Sequence, residues 1–216
     1  MGKDAAMFEG FYGTLEQLGI MPVVMLENVE DAAPLAHALV AGGLPAAEVT
    51  FRTPCAAACI DAMREAEPQM CVGAGTVTDI AQADEALRRG AQFIVSPGLS
   101  TPVVAHILEA GIPALPGTVT PSEVMAAEAL GLYVTKFFPA AQFGGLDTIT
   151  ALSAPFRRHR FMPTGGISPH NARDYLACPA VIACGGTWMV KPQLFADSDF
   201  SRVEQLAREA AALRER

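Results

Sequence analysis

Lysine is scarce in this sequence: of 216 residues only Lys3, Lys136 and Lys191 carry that side chain. Charge of any kind is sparse, with 18% Asp, Glu, Lys and Arg against roughly 25% in an average soluble domain. There is one tryptophan, no Cys-x-x-Cys pair among five cysteines, and no basic run. No apolar stretch approaches the roughly 18 residues of a membrane span. Each absence excludes something. An odd, unpaired set of cysteines (Cys55, Cys59, Cys71, Cys178, Cys184) argues for buried reduced thiols, and hence for the cytoplasm. With a net charge of −8 and no basic run, neither a nucleic-acid backbone nor an anionic membrane is an expected partner. Asp4 and Glu9 follow Lys3 where a secretory leader would turn apolar, so none is expected. His37, His106, His159 and His170 are scattered without metal-ligand spacing, so no metal is expected. Gly73-Ala-Gly75 lacks the third glycine of a dinucleotide fingerprint, and no P-loop is present, so no cofactor is expected either.

What the chain has in abundance is apolar residues, 51% of the total, enough for a large core. They fall into short strand-like runs at 21–26, 46–51, 71–76, 93–97, 113–117, 133–139, 160–164 and 181–184. Longer helix-like segments lie between them, at 30–41, 55–67, 80–89, 101–109, 121–130, 146–153 and 170–177. Another, 7–18, precedes the first strand, and 200–214 closes the chain. Asp79 and Thr120-Pro121 read as helix starts, and Gly42-Gly43, Gly90, Gly111 and Gly131 as stops. Nearly continuous apolar strands belong to parallel sheets covered on both faces. Eight strand–helix units with short links predict a single-domain α/β fold over 1–216, a TIM (β/α)8 barrel with an N-terminal helix. An open doubly wound sheet is the alternative.

Chemistry in such a barrel belongs at the C-terminal ends of the strands. Polar residues and glycines gather there: Glu48, Thr50 and Arg52; Gly73, Gly75 and Thr76; Lys136 and Phe138; Thr164, Gly165 and Gly166; Gly185, Gly186 and Thr187. Lys136 stands out because Tyr133-Val-Thr-Lys136-Phe-Phe138-Pro139 is otherwise an apolar strand, where a lysine is rarely buried without a task. One reading is a structural ion pair. The other is an imine-forming lysine, which needs the neutral amine that a dry interior favours. Period-two alternation puts Glu48, Thr50 and Arg52 on one face, and Val134, Lys136 and Phe138 likewise. Glu48 could shuttle protons or merely balance Arg52. The Arg52 fork suits a carboxylate, with the Thr53 and Thr76 hydroxyls beside it. The glycine pairs 165–166 and 185–186, with a helix N-terminus just beyond, would attract a phosphate.

Six stretches in this order resemble one family: Glu48-Val-Thr-Phe-Arg52-Thr53, Val72-Gly-Ala-Gly-Thr76, Phe93-Ile-Val-Ser-Pro97-Gly98, Lys136-Phe-Phe138-Pro-Ala140, Pro163-Thr164-Gly165-Gly166-Ile167 and Gly185-Gly186-Thr187-Trp188. They are similar to the 2-keto-3-deoxy-6-phosphogluconate (KDPG) and 4-hydroxy-2-oxoglutarate (KHG) aldolases. The resemblance implies a metal-independent class I aldolase on a TIM barrel, assembled as a homotrimer. It would cleave KDPG to pyruvate and glyceraldehyde 3-phosphate, and KHG to pyruvate and glyoxylate. It makes Lys136 the Schiff-base residue and Glu48 the acid/base, gives Arg52 and Thr76 the pyruvate carboxylate, and sets Phe138 against the pyruvate carbons. Gly165, Gly166 and Thr187 would take the phosphate, while Pro97 lines the pocket. Thr187 stands where the family usually has serine, and Thr164 fits the gluco-type members over the galacto-type. The alternatives are a 2-keto-3-deoxy-6-phosphogalactonate aldolase, a sugar-phosphate isomerase or decarboxylase working without an imine, and a non-catalytic ligand-binding barrel.

Overall fold

A computed structural model of the chain describes residues 8–214. Lys3, and the Met7 start expected for the first helix, lie outside them. Helix α1 (Glu9–Leu18) leads into β1 (Ile20–Val24), and strands and helices then alternate. They are α2 (Ala32–Ala41), β2 (Ala46–Thr50), α3 (Ala56–Ala66), β3 (Cys71–Gly75), α4 (Ile80–Arg88), β4 (Ile94–Val95), α5 (Thr101–Glu109), β5 (Ala114–Leu115), α6 (Pro121–Ala129), β6 (Val134–Phe137), α7 (Gly145–Ser153), β7 (Arg160–Pro163), α8 (Ala172–Leu176), β8 (Cys184–Gly186) and α9 (Ser201–Ala211).

The architecture is α/β with a curled, wholly parallel sheet in the order β5-β4-β3-β2-β1-β8, and a parallel pair β6-β7. Isolated parallel bridges link the pieces: Gly117 to Lys136 beyond β5, and Phe161 to Val181 and Thr164 to Gly185 toward β8. Two apolar clusters follow from strand alternation. An inner one gathers Met21, Ala46, Phe93, Val95, Leu115, Val134 and Met162, and is covered by Phe11, Tyr12 and Leu15 of α1. An outer one packs the helices on the sheet, with Val49, Phe137 and Phe161 among its members. Val134 and Phe137 fall in different clusters, so neighbouring Lys136 shares the inner face with Val134.

Most expected elements are found, with shifted ends. β4 and β5 are two residues each because Pro97, Pro113 and Pro116 have no N–H to extend a ladder. β8 begins at Cys184, later than expected, since its ladder to β1 runs through Cys184, Gly185 and Gly186 while Val181 makes only one bridge. A 3-10 turn, Val29–Asp31, delays α2, and the last helix ends at Ala211 before another, Ala212–Arg214. The start signals work as read. Asp79 accepts from the Gln82 N–H at 2.8 Å, and Thr120 with Glu123 forms a reciprocal capping box. Among the described residues no helix is long and apolar enough to cross a membrane.

Candidate active site

Glu48 lies on β2 between β1 and β3, opposite Val23 and Gly73, and is fully buried. Its carboxylate rests over Gly75, where a Cβ would stand 2.4 Å from Oε1. A side chain at 75 would expel it, so that glycine makes room for an acid. Lys136, only 4% exposed, reaches across from β6 and donates from Nζ to Glu48 Oε1 at 3.0 Å. The same nitrogen sits 5.1 Å from the centroid of the half-buried Phe138 ring. Glu48 Oε2 has no hydrogen-bond partner despite its burial. The pair therefore holds one carboxylate oxygen on the amine and leaves the other unengaged.

Beyond β2, the exposed Arg52 donates from Nε to Thr76 Oγ1 at 3.2 Å. Thr76 sits at φ +60°, a left-handed conformation that a β-branched residue seldom adopts, immediately after β3. The Thr53 hydroxyl turns instead to Cys55 Sγ at 3.5 Å. Pro97 is half-buried, with its carbonyl against Gly117. Past β7, Thr164 is 6% exposed and its Oγ1 makes no hydrogen bond; it faces Gly185, where a Cβ would stand 2.2 Å away. Gly165 and Gly166 take φ +97° and +78°, and Gly166 abuts Ala141, where a Cβ would meet the Ala141 Cβ at 2.4 Å. Gly185 and Gly186 are buried at the end of β8, and Thr187 is exposed just after them.

One expectation is corrected. No helix begins just beyond either glycine pair. After β7, Asn171 accepts from the Ser168 N–H and donates to the Gly166 carbonyl, both at 2.9 Å, and this turn postpones α8, which is only five residues long. After β8, Trp188 packs onto Gly186, and a 3-10 turn (Pro192–Leu194) comes next. An anion there would rely on loop N–H groups rather than a helix terminus. Phe51 packs with the outer cluster, away from the inner face.

The thiols of Cys59, Cys71 and Cys184 are poor nucleophiles, since burial holds each in the protonated form. All five cysteines are free, and burial pushes Cys59 up to about 12 and Cys71 up to about 11. Among the described residues no three His, Cys, Asp or Glu side chains are grouped to hold a metal ion. A large cavity of about 1180 Å³ lies elsewhere, between α1, α8 and the C-terminal turn, and is lined by Gly13, Glu16, Arg173, Leu213 and Arg214. It contains none of the residues above. Its walls hold no buried pair of amine and acid, so the chemistry is assigned to the mouth of the sheet, where Lys136 meets Glu48.

The arrangement is a buried amine on an acid, an arginine–hydroxyl pair nearby, and an unpaired hydroxyl beside glycine loops. A family model, KDPG and KHG aldolase, matches residues 12–206. The chain belongs to the KDPG and KHG aldolase family. Its relatives in that family include the 2-dehydro-3-deoxy-phosphogluconate aldolase of Treponema pallidum, 48% identical over 92% of this chain and 94% of that one. The KHG/KDPG aldolase of Escherichia coli K12 is 46% identical over 88% and 90%. Among solved structures, the KDPG aldolase of Legionella pneumophila matches with a TM-score of 0.89 at 35% identity, covering 92% of this chain and 97% of that one. In that structure pyruvate was captured as a covalent carbinolamine intermediate. As a member of this aldolase family, the chain is a lyase.

Two features of this aldolase escaped the reading of the sequence. Gly75 makes room for the acid, which only the β2–β3 register reveals. A buried polar chain, Thr118–Thr135–His159, lies behind Lys136. Thr135 inside one apolar run and Thr118 just after another were its only trace.

Proposed function

We propose that the chain is a class I aldolase cleaving KDPG to pyruvate and glyceraldehyde 3-phosphate through an imine on Lys136, with KHG, cleaved to pyruvate and glyoxylate, as a second substrate. The observation that carries this reading is the buried Lys136 Nζ resting 3.0 Å from Glu48 Oε1. The amine hands a proton to the carboxylate and attacks the C2 ketone, forming a carbinolamine. Glu48 returns a proton to the hydroxyl, which leaves as water and gives the iminium. The C3–C4 bond then breaks, its electron pair flowing into the iminium as the C4 hydroxyl gives up its proton to the Glu48 carboxylate and becomes the aldehyde carbonyl. The enamine takes that proton back from Glu48 at C3, and water hydrolyses the resulting iminium to release pyruvate and the Lys136 amine. The unpaired Glu48 Oε2 supports its part in these transfers.

In this reading Arg52 and Thr76 clamp the pyruvate carboxylate, and their 3.2 Å contact supports a preformed anion site. Phe138 and Pro97 wall the pyruvate carbons. Thr164 Oγ1, buried without a partner, is suited to a substrate oxygen. Gly165, Gly166, Gly185, Gly186 and Thr187 take the phosphate, and Thr53 borders the site from Cys55. The gluco-type substrate is favoured over the galacto-type by the Thr164 hydroxyl. The bridges at Gly117–Lys136 and Thr164–Gly185 support a closed single-domain (β/α)8 barrel. A homotrimer in the cytoplasm is part of the same proposal, the latter supported by five free thiols.

A lactate-dehydrogenase-coupled assay tests the reading. Pyruvate should appear on addition of KDPG, and also on addition of KHG. Turnover of a sugar phosphate without pyruvate would instead favour an isomerase or decarboxylase.

A further inference from the structure

Lys136 sits on the most thinly paired edge of its strand. β5 is two residues long and meets β6 through one bridge, Gly117–Lys136. Two backbone bonds serve it: the Lys136 N–H donates to Pro116 O at 3.0 Å, and the Thr118 N–H donates to Lys136 O at 2.8 Å. Directly behind, in the otherwise apolar layer between sheet and helices, three polar side chains are buried: Thr118 at 1% exposure, Thr135 at 0% and His159 at 1%. Thr118 Oγ1 lies 2.7 Å from Thr135 Oγ1, and Thr135 Oγ1 lies 2.8 Å from His159 Nε2. His159 Nδ1 makes no hydrogen bond, with the nearest carboxylate oxygen, Glu128 Oε1, 3.4 Å away.

One polarity serves the whole chain. If His159 carries its proton on Nδ1, facing Glu128, its Nε2 accepts from Thr135, whose oxygen accepts from Thr118. The three residues come from the β5–α6 link, from β6 and from the position before β7. Buried polar groups cost free energy unless bonded, and apolar residues would fill the same layer without that cost. Such a network specifies geometry more than it adds stability.

We infer that Thr118, Thr135 and His159 are positioning residues that fix β6 against the β5–α6 link and so hold Lys136 Nζ on Glu48. Thr135 adjoins Lys136 in sequence, and Thr118 binds both the Thr135 hydroxyl and the Lys136 carbonyl. A one-residue slip of β6 would turn Lys136 to the outer face. This inference rests on Lys136 being the imine-forming residue.

The test is the single-turnover rate of borohydride-trapped adduct at Lys136 with saturating pyruvate, measured alongside kcat and KM. Thr135→Val keeps the side-chain shape and breaks the chain of hydroxyls. It should slow trapping and kcat about tenfold or more, since displacements near 1 Å can cost a hundredfold. KM should stay within about twofold, because substrate contacts are untouched. Thr118→Val should repeat the loss, and Thr135→Ser, which restores the hydroxyl, should recover the rate. Valine variants that are folded by circular dichroism and trap at the wild-type rate would overturn the inference. So would a loss that merely follows the folded fraction, or that serine does not reverse. A wild-type protein that never traps would sink the imine reading itself, a separate outcome.

Discussion

A lysine and a glutamate buried together define the chemistry at the scale of single residues. Removing the amine in Lys136→Ala should abolish pyruvate release, and Lys136→Arg should do no better, because a guanidinium cannot supply a neutral nucleophile. Glu48→Gln keeps a hydrogen-bonding partner at 48 and removes the proton carrier. Its kcat in the coupled assay should fall about 10²–10⁴-fold. Retained activity in Glu48→Gln would reduce Glu48 to a counter-ion. Gly75→Ala would place a methyl 2.4 Å from Glu48 Oε1, so kcat should fall although residue 75 carries no reactive group of its own. At this scale the sequence was readable for charged residues on apolar strands, since Lys136 and Glu48 are conspicuous there. It was silent on Gly75, because a glycine's purpose depends on what the neighbouring strand brings over it.

Secondary-structure elements were legible where a cap or a stop marks them. Asp79 and Thr120 work as their sequence suggests, and Asp79→Ala should cost about 1 kcal/mol in urea unfolding. The ends of β4, β5 and β8 were misplaced because pairing partners, rather than apolar runs, decide where a ladder stops. The missing helix N-termini after β7 and β8 have the same origin: a double glycine announces a turn but does not specify the next element. His159, one of four histidines scattered without metal-ligand spacing, gives this scale its pH signature. Burial pushes its imidazole down to about 4 despite Glu128 at 3.4 Å. The unfolded chain, with a value near 6.5, then holds more protons between those limits. The stability associated with neutral His159 is complete above about 6.5 and declines as pH falls toward 4, by about 3 kcal/mol. His159→Phe should flatten that acid limb in denaturant titrations at pH 4–7. An unchanged limb would mean that His159 does not stay neutral in the folded protein.

Over the whole molecule, the inner apolar cluster fills one end of the curled sheet beneath α1, and the polar site occupies the other. Stability and chemistry are thereby separated along one axis. Leu15→Ala, which removes a fully buried side chain under α1, should cost about 2–5 kcal/mol while leaving kcat close to wild type. The parallel α/β architecture was readable from eight apolar runs separated by helical ones, because period and spacing survive errors at element ends. Which strands bridge rather than pair fully was not readable, since it turns on prolines and glycines acting across the sheet. The decisive measurement is mass spectrometry of the protein reduced with borohydride in the presence of pyruvate. The account predicts one carboxyethyl adduct, located on Lys136; an adduct confined to another lysine, or none at all with aldolase activity intact, would contradict it.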